Sequence, residues 1–99
     1  MESYQDLEVW QKGMDLAQSA YTLTKSFPKE ELFGLTSQIR RAAASVPANI
    51  AEGWARRSSK DFQRFLNLAN GSMRELETHL ILAQRVGLAE ESHIQTMLA

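Results

Sequence analysis

The feature that most constrains this fold is an apolar stripe along residues 59–86. Seven apolar residues recur there at alternating spacings of three and four, which is the spacing of one face of an α-helix. β-strands alternate apolar and polar residues instead, and no run bounded by turn residues has that pattern. The stripe predicts one helix from Ser59 to Val86, about 42 Å long at ~1.5 Å per residue. Its members are Phe62, Leu66, Ala69, Met73, Leu76, Leu80 and Ala83.

Residues that favour helix ends flank this predicted helix. Ser58 and Ser59 are good N-cap residues, because their hydroxyls accept hydrogen bonds from the free amides of a first turn. Gly87 suits the other end, since glycine readily adopts the left-handed conformation that often ends a helix. The third helix therefore has predicted start and stop signals as well as a predicted face.

Two apolar stripes run side by side along the first predicted helix, which begins at Leu7. Together they form a wider apolar face than packing on one neighbour requires. Pro28 disfavours helical geometry in the residue before it, so the helix is expected to end near Phe27. The stripes are Leu7, Trp10, Met14, Ala17 and Tyr21, and beside them Val9, Gly13, Leu16, Ala20, Leu23 and Phe27.

The second predicted helix begins near Leu35 and contains a proline. Pro47 removes one backbone hydrogen bond at a cost of ~3 kcal/mol, so a kink is expected. The apolar spacing continues through Ile50 and Trp54, which favours one bent helix over two. A fourth segment, Glu90–Leu98, is apolar at few positions and predicts a curtailed helix. The expected fold class is all-α, an up-and-down four-helix bundle with a short or truncated fourth helix, in a single domain over residues 1–99.

The net charge of −1 conceals a gradient along the chain. Residues 1–39 carry a net charge of −3, residues 40–74 carry +5, and residues 75–99 return to −3. Part of the middle segment forms a cluster where the second predicted helix passes to the third. We predict that it binds nucleic acid, since three of its members fall along one helical edge if the third helix begins early. The cluster consists of Arg56, Arg57, Lys60 and Arg64.

Polar residues also interrupt the apolar faces of the second and third helices. Burying them requires partners, and Arg40 or Arg41 would supply the charge that compensates a buried carboxylate. We therefore predict that Glu52 and Glu75 are buried and paired with one of these arginines. The neighbouring Gly71 is interpreted as a site of close helix packing. The predicted structural polar network contains Arg40, Arg41, Asn49, Glu52, Ser72 and Glu75.

No residue pattern predicts catalysis, a metal or a cofactor. The chain has no cysteine. Glu75 and His79 are four residues apart, but the second such pair that a dimetal bundle site needs is missing. Glu2 and Asp6 stand where a signal peptide would carry basic residues, and no apolar run approaches the ~18 residues of a membrane span. We expect a non-enzymatic, cytoplasmic protein with no membrane association; the alternative is an interhelical small-ligand or metal-binding module.

Four runs in this order resemble a known family: DLEVWQK at 6–12, GLTSQIRRAA at 34–43, VPANIAEG at 46–53 and GSMRELET at 71–78. They resemble the four helix bundle proteins encoded by intervening sequences of bacterial 23S rRNA genes, which are related to the accessory variability determinant proteins of diversity-generating retroelements. The resemblance implies a left-handed bundle without enzymatic activity that assembles as a ring, typically a homopentamer. It also implies a fuller fourth helix than this chain has.

A homo-oligomer is expected from the residues as well. The doubled stripe of the first helix and a set beside the main stripe of the third exceed what one bundle buries, and monomers rarely expose large apolar patches. The function that we predict is that of an oligomeric adaptor binding RNA, DNA or a nucleic-acid-processing protein. The extra apolar residues of the third helix are Phe65, Leu68, Leu82 and Val86.

Overall fold

The computed structural model describes residues 3–99, and in that part of the chain it contains α-helices, short 3₁₀ turns and no strand. The all-α prediction is confirmed. Glu2, one of the two acidic residues cited against a signal peptide, lies outside the described residues. The 3₁₀ turns are Tyr4–Asp6 and Lys29–Glu31. The helices are α1 (Glu8–Thr24), α2 (Leu35–Ala55), α3 (Ser59–Arg85) and α4 (Glu91–Leu98).

The second helix is the centre of the bundle, since both α1 and α3 pack against it and residues of all three helices share one buried core. The short α4 packs against α3, where it closes one end of the core with the buried side chain of Ile94. The largest side chains that are almost completely buried come from α2 and α3, and burial of such side chains is the main stabilising contribution to a bundle. They are Ile39, Ile50, Leu76 and Leu80.

The predicted ends of α3 are confirmed to within one residue. The Ser58 side chain caps the helix by accepting a hydrogen bond of 3.3 Å from the Asp61 amide. At the other end Gly87 has a φ of 84°, and the Leu88 amide donates to the Ala83 carbonyl at 2.8 Å. A left-handed glycine with this six-residue hydrogen bond is a Schellman motif, which satisfies carbonyls that the helix end leaves free.

The second helix continues through Pro47 as one element, as predicted. Pro47 is buried and lies against α1 at Gly13, where an added Cβ would stand 3.5 Å from the Pro47 Cβ. This is an ordinary van der Waals distance, so α1 and α2 pack here without an approach that only glycine permits.

The first helix ends at Thr24, three residues before the predicted end at Phe27. The Ser26 and Phe27 amides donate to the carbonyls of Leu23 and Thr24, three residues back, so the chain leaves α1 in a tightened 3₁₀-type turn. Phe27 is nonetheless buried in the core. The apolar spacing of Phe27 therefore predicts its burial correctly but overestimates the length of the helix.

The two stripes of α1 have different environments. Gly13, Ala20 and Leu23 are buried, whereas Met14 and Tyr21 of the other stripe remain exposed.

Within residues 3–99, no helix combines the length and the apolar character that crossing a membrane demands.

Candidate nucleic-acid interface

The four predicted binding residues lie around the connection between α2 and α3. Arg56 follows the last residue of α2, and Arg57 adopts a left-handed conformation with φ of 58°. This position is the one that glycine often occupies after a helix, so Arg57 turns the chain toward the N-cap Ser58. Lys60 and Arg64 follow on the first turns of α3. We call Arg56, Arg57, Lys60 and Arg64 the basic turn.

Two guanidinium groups of the basic turn converge on one aromatic ring. The Arg56 Cζ lies 5.0 Å from the centroid of the Phe65 ring, and the Arg64 Cζ lies 4.6 Å from it. Both distances are within the range of cation–π attraction. Phe65 is only 6% exposed, so the ring is anchored in the protein while both arginine side chains remain exposed.

The charges of the basic turn are partly balanced. Arg56 forms an ion pair of 3.1 Å with Glu52, one helical turn earlier on α2. Across residues 3–99 the ion pairs within 4.0 Å do not include Arg57, Lys60 or Arg64. Residues 52–64 contain four basic and two acidic side chains, a net charge of +2.

The condition attached to one geometric prediction for the basic turn is not met. Arg57 shares a helical edge with Lys60 and Arg64 only if the third helix begins early, but α3 begins at Ser59 and Arg57 lies outside it. The N-cap requirement sets this start, because the Ser58 backbone is extended while its hydroxyl accepts the Asp61 amide. Lys60 and Arg64, four residues apart, do share the edge.

Phe65 was predicted to belong to an oligomer face, but it is buried within the single chain. It packs at a close approach of α2 and α3, since an added Cβ at Gly53 would stand 2.6 Å from the Phe65 Cβ. Its spacing of four from Ala69 and eleven from Leu76 is a core spacing, so the sequence contained the signal. Gly71, the predicted close-packing glycine, has open space around its Cβ position instead.

Two residues of the predicted polar network, Asn49 and Ser72, do form a network, but through a partner that was not predicted. The Ser45 and Ser72 hydroxyls are 2.7 Å apart and hydrogen-bonded. The side-chain amide of Asn49 donates from Nδ2 to the Ser45 carbonyl at 2.8 Å and to the Ser45 hydroxyl at 3.0 Å. Asn49 and Ser72 therefore belong to one network, and its centre is Ser45, which the predicted network does not include.

The predicted arginine–carboxylate pairs are wrong for the single chain. Glu52 and Glu75 are exposed, and Glu52 pairs with Arg56. The Arg40 Nε donates instead to the Thr24 hydroxyl at 2.8 Å, and its guanidinium lies 4.8 Å from the Tyr21 ring centroid. These contacts attach α2 to α1, where a buried hydroxyl satisfies the arginine without a second charge.

Arg41 and Glu75 line the same shallow hollow beside α2. In the part of the chain that the structure describes, no ion pair within 4.0 Å joins them. Over the same residues, His, Asp and Glu side chains form no group of three or more that would hold a metal ion.

Between α1 and α2 the surface forms a long apolar groove. The groove consists of two hollows, one beside Trp10 and Met14 and one beside Phe33. Tyr21 and Ala44 line both hollows, so the two are continuous. Met14 is 45% exposed, Tyr21 44% and Phe33 93%. We call it the α1–α2 groove, lined by Trp10, Met14, Ala17, Tyr21, Phe33, Arg40, Arg41, Ala44, Pro47, Ala48 and Ala51.

A sequence profile of the 23S rRNA-intervening sequence protein family matches residues 5–99. The match covers all four helices and the basic turn. A search of curated proteins finds no significant match.

Proposed function

Because the chain belongs to the 23S rRNA-intervening sequence protein family, we propose that it is a non-enzymatic, homo-oligomeric adaptor that binds nucleic acid through the basic turn. The observation that most directly supports nucleic-acid binding is that the guanidinium groups of Arg56 and Arg64 both lie over the Phe65 ring. A buried ring that restrains two exposed cations lowers the side-chain entropy lost when they meet phosphate.

The remaining members of the basic turn extend this cationic surface. Arg57 and Lys60 are exposed, and both precede the second turn of α3. Arginine and lysine supply most phosphate contacts in protein–nucleic acid complexes, and such contacts carry affinity rather than base specificity. The proposed ligand is therefore recognised through its phosphate backbone.

Assembly makes a modest local charge effective. A net charge of +2 over residues 52–64 is a weak field in one copy, while the whole chain carries −1. Copies of the basic turn repeated around a homo-oligomer bind a polyphosphate multivalently, which raises avidity without new contacts. The exposed apolar side chains of the α1–α2 groove support such an assembly, for which the family resemblance implies a pentamer.

The chemistry of the basic turn favours an adaptor over an enzyme. Its four members are cations suited to binding phosphate, and nucleophilic catalysis requires a nucleophile beside an oriented base. The proposal assigns the protein no catalytic residue and no cofactor. A nucleic-acid-processing protein that docks on the same surface is the competing outcome of the test below.

The test compares binding of structured RNA and of DNA at two salt concentrations. The variant replaces the whole basic turn with glutamine, which preserves polarity and leaves the helices folded. We expect weaker binding and a flatter salt dependence, because each lost phosphate contact lowers the slope by ~0.7 to ~0.9. A matched control removes the same four charges elsewhere, by glutamine replacement of Lys12, Lys25, Lys29 and Arg85.

The control variant should bind like the parent. If the basic-turn variant keeps the parent affinity and slope, the nucleic-acid surface lies elsewhere. A parent protein that binds neither RNA nor DNA at low salt overturns the nucleic-acid function, and binding of a nucleic-acid-processing protein to the basic turn then becomes the better proposal.

A further inference from the structure

A hollow beside the basic turn is lined by two aromatic side chains. Its volume is about 300 Å³, at the lower end of the ~300 to ~1,000 Å³ range of ligand pockets. The lining residues come from the end of α2 and the start of α3, so the turn that carries the cations also forms the hollow. We call it the Trp54 hollow, lined by Gly53, Trp54, Arg57, Ser58, Ser59 and Phe62.

The Trp54 ring is held on one side and has surface left for a further contact. The Trp54 and Phe62 rings meet edge to face, with centroids 6.2 Å apart and planes at 80°. In such a pair Phe62 covers at most one face of the indole. Phe62 itself packs against the core residues Val46 and Ile50, which anchors the pair, while Trp54 is only partly buried.

The indole N–H of Trp54 also reaches solvent. The side-chain hydrogen bonds of residues 52–67 do not involve its Nε1 atom. Because residues 3–99 contain no buried side-chain nitrogen that lacks a hydrogen-bond partner, this nitrogen is accessible. In the same part of the chain, the arginines within cation–π range lie over Tyr21 and Phe65 rather than over Trp54. The indole is therefore open to a planar ligand.

Two cations accompany this ring. Arg57 lines the hollow, and its backbone is fixed near Trp54 because the Arg57 amide donates to the Trp54 carbonyl at 3.3 Å. Lys60 follows Ser59, the first residue of α3. Both cations are exposed and remain outside the ion pairs that the described residues form within 4.0 Å. Sites for single-stranded nucleic acid combine these features, since bases stack on aromatic rings while cations contact the backbone.

We propose that the Trp54 hollow takes an unpaired base of a nucleic-acid strand, stacked on the Trp54 indole, while Arg57 and Lys60 contact the neighbouring phosphates. This inference rests on the proposed function and names its substrate class, which is single strands and the loops of structured RNA rather than uninterrupted duplex. Bases inside a duplex already stack on one another and offer no free face. Every base has a π-face, so the contact tolerates any sequence.

The first test compares a single-stranded RNA, a DNA strand of the same sequence and a long duplex DNA. Trp54→Leu should weaken binding of both single strands by about 5-fold or more, the usual effect of losing one base–aromatic stack. Binding of the duplex should be unchanged. The matched control is Trp10→Leu, the same substitution at a tryptophan on α1 that does not line the hollow. It should bind all three probes like the parent.

The second test uses tryptophan fluorescence, which reports stacking directly. The chain has two tryptophans, so Trp10→Leu leaves Trp54 as the only emitter and Trp54→Leu leaves Trp10. Saturating single-stranded RNA should quench the first variant strongly and the second little. This measurement keeps Trp54, so it tests the inference even if circular dichroism shows that Trp54→Leu is unfolded. If Trp10→Leu is unfolded, Trp10→Phe replaces it, because phenylalanine keeps a ring against the core.

Three results overturn the inference. They are parent affinity for single strands in Trp54→Leu, equal weakening of its duplex binding, and unquenched Trp54 emission with a strand bound. Equal quenching by AMP at the same nucleotide concentration also overturns it, because the ligand would then be a free nucleotide.

The proposed function is judged separately, by the glutamine variant of the basic turn. If that variant binds nucleic acid more weakly than the parent while Trp54 emission is unquenched, the basic turn remains the binding surface and only the stacking contact is wrong. A parent that binds neither single strands nor duplex at low salt overturns both proposals.

Discussion

The second helix packs against two neighbours in different ways. Toward α3 it makes a tight seam, closed by the approach of Gly53 to Phe65 and by the hydrogen bond between Ser45 and Ser72. Toward α1 it packs through Gly13 and Pro47, and the outer edge of that seam opens into the α1–α2 groove. Both seams contribute to the core, and the second also exposes an apolar wall.

The difference shows how the size of a side chain decides where a bundle is complete. Large residues of α2, such as Ile39 and Ile50, point into the core and are buried. On its outer α1 side the helix carries Ala44, Ala48 and Ala51, which do not fill the space between the helices. The α2–α3 seam is therefore closely packed, and the α1–α2 groove is an apolar surface that the single chain leaves exposed.

The strongest way to break the tight seam is Leu76→Ala. Leu76 is fully buried between the helices, and removing such a side chain leaves a cavity that costs ~2 to ~5 kcal/mol of unfolding free energy. Denaturant unfolding at fixed protein concentration measures the loss. Ile81→Ala on the exposed side of the same helix should cost much less, and equal losses would contradict the assigned core face.

A single methyl group at Gly53 should also weaken the tight seam. The new Cβ would stand 2.6 Å from the Phe65 Cβ, and neither atom moves by side-chain rotation, so α2 and α3 must separate. Overpacking of this kind costs ~1 to ~3 kcal/mol, and the helix propensity of alanine over glycine offsets up to ~1 kcal/mol of it, so a net loss of up to ~2 kcal/mol is expected. Thermal unfolding of Gly53→Ala checks this, and an unchanged Tm would rule out the close approach.

Removal of the Ser72 hydroxyl tests the polar part of the tight seam. Ser72→Ala breaks the hydrogen bond to Ser45, with an expected loss of ~1 kcal/mol. Thr78→Ala is the control, because that exposed hydroxyl bonds only within its own helix, to the Arg74 carbonyl. Unfolding free energies that are the same for both variants would mean that the bond contributes nothing to the seam.

The smallest effect is expected at the other seam, for Gly13→Ala. Its Cβ would lie 3.5 Å from both Pro47 and Val46, an ordinary contact distance. The helix propensity of alanine should then stabilise the chain by up to ~1 kcal/mol. Gly71→Ala is the control, because a Cβ at Gly71 contacts nothing and its effect measures the gain in helix propensity alone. A Gly13→Ala variant as unstable as Gly53→Ala would mean that the two seams are equally tight.

Local sequence signals predicted much of the fold. Serine at the start and glycine after the end located α3, because capping hydrogen bonds join residues near in sequence. The apolar spacing across Pro47 identified one helix. The basic turn was also located, since its residues are close along the chain, although the left-handed Arg57 moved that residue off the predicted edge.

The partners of charged and small residues were harder to predict. Helical periodicity assigns a residue to a face, but the distance to the neighbouring helix decides whether a residue at the margin of that face is buried. Glu75 and Ser72 are three residues apart on α3, yet Ser72 bonds to α2 and Glu75 is exposed. Arg40 was correctly singled out, but its partner Thr24 lies on another helix.

Hydrogen bonds and apolar periods within single segments are encoded locally, and they specified four helices, their order and the position of the basic residues. The packing of the helices selected which α1 stripe is buried, which glycine permits close approach, and which hydroxyls accept or donate between helices. Those outcomes depend on how closely two helix axes approach, a distance set by all the side chains between them at once. No single motif contains that information.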